Sequence, residues 1–420
     1  MKRKGLLVLL AVGMVVSLVL FAACGEKPEP APGDTWQYPD RLLVTAMGST
    51  SPTYGAFVAW TTPWAQDTGV TVRLITESDS RLQQIWVRDG TFFSVAPHQN
   101  RSMMYGIKGY ARRDWGAWQS RIWMPAGVSF WGACVLKNSG MKTLDDLKPG
   151  MKAITISLSE EPQQSLYAFL AWANVDPSTI TFIPLSNTGQ TGAFLQSGKG
   201  DFCLGYVTTA SWYEVEASPS GLTWLSFDPA QNPAAAARFL GMYPWTDFGK
   251  ATAGVPSSEG VPMAMSLPPY ITSANTDTEL VYRIVKWVDE NYDRFKDSHP
   301  WCVAMTLENL IKTAEHNYEP IHDGAVKYLE EKGLWTPELE AKSQYNIEQL
   351  TLWVDGYQDA ITLADERGLT INENNADWQK FWDDYKRDNN LPLLSYDQSA
   401  DNQPGYFDYY TNWENIRPKF

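Results

Sequence analysis

Cysteine and histidine are scarce, with four of each in 420 residues. That leaves little material for a structural zinc site or a disulfide framework. Positive charge is also short: 34 Lys and Arg stand against 48 Asp and Glu, for a net charge of −14. Such a surface repels phosphate backbones and argues against nucleic acid as a partner. No repeat period runs through the chain, and no G-x-S-x-G elbow, H-E-x-x-H pair or Walker A loop occurs. A composition of 44% hydrophobic and 20% charged residues excludes disorder, collagen and coiled coil as overall descriptions. The length suits two or three domains, each able to bury a core. What the chain has in abundance is tryptophan, 19 residues. Most of these belong in cores, and some suit sites for flat or apolar groups.

The long apolar run is confined to the N-terminus. Lys2, Arg3 and Lys4 precede 18 mostly apolar residues from Leu6 to Ala23, which end in Phe21-Ala22-Ala23-Cys24-Gly25. Small residues before a cysteine suit a lipoprotein signal peptidase, whose product begins at a lipid-carrying Cys24. The alternative is a plain membrane anchor, since 18 residues nearly span a bilayer. Either way the protein is expected to be exported and tethered. Glu26 to Thr35 reads as a Pro-rich spacer. The three other cysteines, Cys134, Cys203 and Cys302, lie in apolar settings without metal-ligand spacing. Buried free thiols are the main reading, and a Cys134–Cys203 disulfide is the alternative.

From Leu42 the chain alternates. Strands at Leu42–Gly48, Val70–Thr76 and Phe92–Ala96 are separated by helices at Ala56–Gln66 and Arg81–Val87. The pattern restarts with strands at Gly132–Asn138, Ala153–Ser157, Thr181–Leu185 and Asp201–Val207, again with helices between them. Strand and helix in alternation predict parallel α/β sheets with right-handed crossovers. Two α/β lobes follow, with a return strand expected near Val261–Leu267. Helices then dominate: Thr276 and Glu279 read as a capping box, and Thr336-Pro337 starts a helix reaching about Arg367. A further helix is expected at Trp378–Arg387. The boundaries are 1–23 for the signal peptide, 24–39 for the linker, 40–129 with 256–335 for lobe 1, 130–255 for lobe 2, and 336–420 for a helical or irregular extension.

In open α/β sheets, ligands bind beyond the C-terminal ends of strands, near helix N-termini. The small polar residues there are Ser49, Ser51, Thr53 and Tyr54 after the first strand, then Ser78, Ser80 and Arg81 after the second. His98 follows the third. In lobe 2, Ser159 and Glu160 follow the strand at Ala153, and Thr208 and Thr209 follow the strand at Asp201. These twelve residues are the candidate ligand contacts of a cleft that closes on a small solute. The same residue types also make ordinary caps and turns. An enzyme reading would use His98 with Glu160 or Glu161 as acid and base, but no partner group is identifiable for either glutamate. His299 and His322 suit capping or packing. No metal site and no cofactor are expected.

The segment ITSANTDTELVYRIVKWVDENYDRF…HPW…TLENLI…EPIHDGAVKYLEEKGLW, from Ile271 to Trp335, resembles the C-terminal pattern of the TAXI-type solute receptors of TRAP transporters. His322, Gly324, Ala325, Tyr328, Glu331, Lys332 and Gly333 match, while the family's Ile-Pro is inverted as Pro320-Ile321. Met141–Ser157 and Asp201–Ser211 are similar to the family's strand units. The resemblance implies a two-lobed α/β fold of the type II periplasmic-binding-protein kind, here with a helical C-terminal extension. It implies an extracytoplasmic, monomeric receptor rather than an enzyme, which hands a small organic acid such as glutamate or 2-oxoglutarate to TRAP membrane subunits. The ligand loops depart from the family. Gly48–Gly55 keeps Tyr54 but loses later glycines, the second loop is Glu77-Ser78-Asp79-Ser80-Arg81, and Leu158–Gln163 carries two glutamates in place of a Gly-rich turn. Fewer glycines offer less bare backbone N–H to an anion, and added carboxylates repel one. A surface sensor or scaffold whose Trp-rich tail binds a partner is the remaining alternative.

Overall fold

The computed structural model describes residues 35–391, apart from 50, 78, 91, 96–99, 157–159, 187, 244, 245 and 318. Cys24, Ser78, His98 and Ser159 lie outside the described residues. So does the side chain of Glu160, whose backbone opens the helix Glu160–Ala173.

Among the described residues, twelve strands form two sheets. They are β1 (Arg41–Ala46), β2 (Thr71–Thr76), β3 (Phe92–Val95), β4 (Ser120–Pro125), β5 (Ser129–Leu136), β6 (Lys152–Ile156), β7 (Thr181–Leu185), β8 (Phe202–Tyr206), β9 (Leu222–Trp224), β10 (Asp247–Lys250), β11 (Pro262–Ser266) and β12 (Pro269–Ser273). The first sheet has the order β2-β1-β3-β12-β4, and the second runs β10-β11-β5-β8-β6-β7 with β9 on β5. β1, β2 and β3 are mutually parallel, whereas β12 runs antiparallel to both β3 and β4. This is the type II two-lobed α/β arrangement, in which a late strand returns to complete the first sheet. Each sheet has its own hydrophobic core, and the two cores share no residue.

The local causes are legible. The helix Pro52–Thr68 starts where the Ser51 side chain accepts the Tyr54 N–H and proline fills the first turn. It stops at Gly69, whose φ of 70° suits glycine. Its buried face carries Phe57, Trp60 and Trp64; Trp60 meets Trp64, Trp123 of β4 and Tyr270 of β12, Phe57 meets Tyr270, and Trp123 stacks on Tyr270. Burial of these large rings on one face is what fixes the helix to the sheet.

Two expectations are corrected. The run Val261–Leu267 is not the return strand: its β11 pairs with β10 and β5 in the second sheet, and Pro269–Ser273 makes the return. Leu267 and Pro268 separate the two strands, and Pro269 opens the second. The helix Thr278–Glu290 is capped by Asp277, which accepts the Leu280 N–H at 2.7 Å, rather than by a Thr276–Glu279 box. Thr276 instead shares a 2.7 Å hydrogen bond with Thr272, and Glu279 pairs with Arg283 and Lys327.

Residues 336–391 pack onto lobe 1 as the helices Pro337–Glu366 and Ala376–Asp388. The indoles of Trp378 and Trp382 donate to the carbonyls of Ala111 and Gly106 at 2.9 and 3.1 Å, and the Tyr357 hydroxyl donates to Arg112 O at 2.8 Å. Gly106 has a φ of +58°, and a Cβ there would stand 2.6 Å from the Tyr357 ring. Ion pairs join Arg112 to Glu373 and Arg113 to Asp365. Among the described residues, no helix is long and apolar enough to cross a membrane.

Candidate functional site

Among the described residues, two short connections join the sheets, residues 126–128 after β4 and 267–268 before β12. They run side by side, with the Ala126 N–H donating to Pro268 O at 2.8 Å. Pro125 lies opposite Pro269, and Ser129 opposite Ser266. This two-stranded ribbon is the candidate hinge. Its position fixes which strand ends face each other. β4 ends at the ribbon and runs the same way as β1, β2 and β3, so their C-terminal ends face it too. β8 is antiparallel to β5, which leaves the ribbon, and β6 and β7 are parallel to β8. The C-terminal ends of both parallel sets therefore lie on the ribbon side of their sheets, the side on which an open α/β sheet binds its ligand and the border of the candidate cleft.

The cleft borders contain the predicted residues in different states. Ser49 is exposed after β1. Ser51 and Thr53 are spent on their own turn: the Ser51 hydroxyl meets Gly48 O at 2.7 Å and Thr53 Oγ1 at 2.9 Å. Ser80 is buried at the first position of its helix. Arg81 is held by Asp79, donating through Nε at 2.9 Å and NH2 at 2.8 Å, and its guanidinium lies 5.4 Å from the Trp115 ring centre. A bidentate, stacked guanidinium is a structural clamp already matched to a carboxylate. By contrast, the half-buried Tyr54, Thr208 and Thr209 hydroxyls make no hydrogen bond among the described residues. Backbone bonds from Thr209 N to Tyr206 O and from Trp212 N to Thr209 O hold the second pair at the end of β8.

His299, which sequence reasoning assigned to capping or packing, and its neighbour Trp301 also reach this region. His299, whose Nδ1 accepts the Trp301 N–H at 3.2 Å, stands against Gly55 in the first turn of the helix Pro52–Thr68; a Cβ on Gly55 would lie 2.8 Å from its Cδ2. Burial lowers its pKa, so the ring is neutral near pH 7. Trp301 is 4% exposed and covers Gly127 in the hinge. The sequence signal was the His-Pro-Trp run, whose contacts lie too far along the chain to read. His322 lies away from the cleft and caps the helix Asp323–Glu331 through Nδ1, which accepts the Gly324 N–H at 3.1 Å. Trp212 and Tyr243 are core residues, 3% and 1% exposed.

Among the described residues no three His, Cys, Asp or Glu side chains stand close enough to hold a metal ion. A shallow hollow of about 340 Å³, bordered by Leu136, Met151 and Asp201, lies at the opposite end of the second sheet from the hinge.

Comparison with known proteins adds a family likeness. Residues 131–333 match the model of the NMT1-like family. That stretch is slightly under half of the chain and contains the second sheet, the hinge return and the helices through Gly333. No curated protein matches significantly. Among solved structures, MatC from Rhodopseudomonas palustris with bound malate is 14% identical, with 76% of this chain and 99% of that one covered and a TM-score of 0.40. An R. palustris protein with adipate is 13% identical over 76% and 98%, with a TM-score of 0.43. An amino acid ABC transporter substrate-binding protein from Streptococcus pneumoniae, bound to L-arginine, is 11% identical over 74% and 95%, with a TM-score of 0.37. The two-lobed architecture rests on the sheets and hinge described above, independently of these likenesses.

Proposed function

We propose that the chain is an extracytoplasmic solute receptor, not an enzyme, which closes two lobes around one small organic molecule and passes it to a membrane permease. The observation that carries this reading is the hinge: two connections of two or three residues, hydrogen-bonded to each other, with every parallel strand end facing the gap. Ligand contacts to both lobes would stabilise the closed form, as population shift requires. The resemblance of Ile271–Trp335 to TAXI receptors supports a TRAP-type permease as the partner. The basic start, the apolar run and Ala22-Ala23 before Cys24 support a lipid anchor on Cys24, and the receptor is read as a monomer.

The ligand follows from what the cleft offers. Among the described residues of the strand ends, the cation Arg81 is matched to Asp79, whereas the hydroxyls of Tyr54, Thr208 and Thr209 are unpartnered. This set suits a neutral, hydroxyl- or carbonyl-bearing solute better than the small dicarboxylate that the family resemblance implies. Ser49, Ser78, His98, Ser159 and Glu160 remain candidate contacts around it, whereas Ser51, Thr53 and Ser80 are engaged or buried.

Small-angle scattering tests the reading. Addition of a bound solute should lower the radius of gyration, and an unchanged radius on saturation would contradict closure. For the anchor, Cys24→Ala should release the protein from membranes; a variant that stays membrane-bound would refute lipidation at that residue.

A further inference from the structure

Cys134 and Cys203 stand directly opposite each other on β5 and β8, in the middle of the second sheet. Their sulfur atoms are 3.2 Å apart, and both residues are fully buried. The room is made by a neighbour: a Cβ on Gly205 would lie 2.9 Å from the Cys134 sulfur. Ladder parity fixes the backbone geometry. Val207 N donates to Phe130 O, and alternate pairs along an antiparallel ladder share that hydrogen-bonded type. Counting along the register from Phe130, Cys134 and Cys203 occupy such a position, the wider of the two, where Cα atoms lie about 5.5 Å apart and the Cβ atoms must draw together to about 4 Å for a bond to close. Disulfides span Cα separations of roughly 4.4–6.8 Å. Cys302 belongs to the other core and cannot compete for either partner without unfolding.

We infer that Cys134 and Cys203 form an intrachain cross-strand disulfide when the chain folds in the presence of a disulfide-bearing oxidant. The inference rests on the proposed export, since such oxidants act outside the cytoplasm. The thiolate of one cysteine attacks the oxidant's disulfide, forming a mixed disulfide and releasing one thiol. The second cysteine's thiolate then displaces the oxidant's other sulfur. The two protons end on the two released thiols, and two electrons pass to the oxidant. The step belongs to folding rather than to the finished protein. Once buried, the Cys134 thiol is pushed far up in pKa by desolvation, and neither sulfur is open to attack. The result would tie two central strands across 69 residues of chain, which raises stability by restricting the unfolded ensemble.

The test is refolding of the denatured, reduced full chain with and without oxidised glutathione, followed by alkylation under denaturing conditions and peptide mass spectrometry. The expected result is a Cys134–Cys203 linked peptide, two hydrogen atoms lighter than its parts, with Cys302 alkylated. Cys134→Ala should abolish the link and leave Cys203 alkylated. Alkylation of both cysteines in the oxidatively refolded wild type would overturn the inference, as would a Cys203–Cys302 link. Acid-trapped protein from intact cells separates this from the export reading. A pair that links in vitro but is reduced in cells contradicts export and leaves the geometry standing.

Discussion

Gly127 and Trp301 are packed so closely that a Cβ on the glycine would stand 2.4 Å from the indole Cγ. The glycine is the middle residue of the crossover 126–128, and the indole sits on a 3-10 turn, Pro300–Ala304, of lobe 1. Hinge and lobe therefore share one tight contact. Gly127→Ala should cost about 1–3 kcal/mol by overpacking, seen as a lowered midpoint in denaturant unfolding. Trp301→Leu should cost stability alone but relieve the clash, so the double variant should be more stable than the sum of the single effects predicts. Additive effects would show that the two residues do not limit each other.

Acid should loosen lobe 1 through His322. Its Nδ1 must be unprotonated to accept the Gly324 N–H, and burial holds its pKa down to about 4 from the usual 6.5. The unfolded chain therefore binds a proton between these values that the folded chain refuses. Stability is fully present above about pH 6.5 and falls as pH drops toward 4, by up to about 3 kcal/mol. His322→Asn keeps a capping side chain without the titration. Urea unfolding across pH 7 to 4 should show a flatter decline for the variant; equal declines would remove His322 from the cause.

How much of this was readable in advance depends on chain distance. The βα alternation was legible because β1, β3, β6 and β8 are β-branched or apolar runs bounded by Gly, Ser and Thr, and the long helix at Pro337 announced itself by Thr336. The return strand was not, because the apolar run Val261–Leu267 stays in the second sheet and the strand that returns, Pro269–Ser273, opens on a proline just beyond it. At the site, residue type was visible but not its engagement. Asp79 takes up Arg81 from two residues away, and Ser51 uses its hydroxyl on Gly48 O. Contacts such as Trp301 on Gly127, or Glu373 on Arg112, join residues more than 170 positions apart. No local pattern encodes them.

The C-terminal helices should act as part of lobe 1. Trp382 fills a site between Gly106 O, Trp353 and Tyr357. Trp382→Ala should cost about 3–5 kcal/mol, the usual range for a buried indole, and should lower the thermal midpoint of the whole lobe. A separate, earlier transition confined to the extension would show that it folds as an independent unit.

Arg81 and the unpartnered hydroxyls should separate in binding experiments. Removal of the Tyr54 hydroxyl as Phe, or of the Thr208 hydroxyl as Val, should weaken solute binding by about 2- to 10-fold each, the net worth of a hydrogen bond of about 0.5–1.5 kcal/mol. Arg81→Gln should change stability more than affinity, because its partner is Asp79. A large loss of affinity on Arg81→Gln in calorimetric titration would restore an acidic solute.

Native mass spectrometry of the purified protein, after exposure to a metabolite extract and buffer exchange, tests the central claim most directly. The account predicts one small molecule per chain, recovered unchanged on denaturation, and a reduced fraction bound in the Tyr54→Phe, Thr208→Val double variant. Conversion of that molecule to a product, or an adduct indifferent to both substitutions, would contradict a receptor that binds its solute between these strand ends.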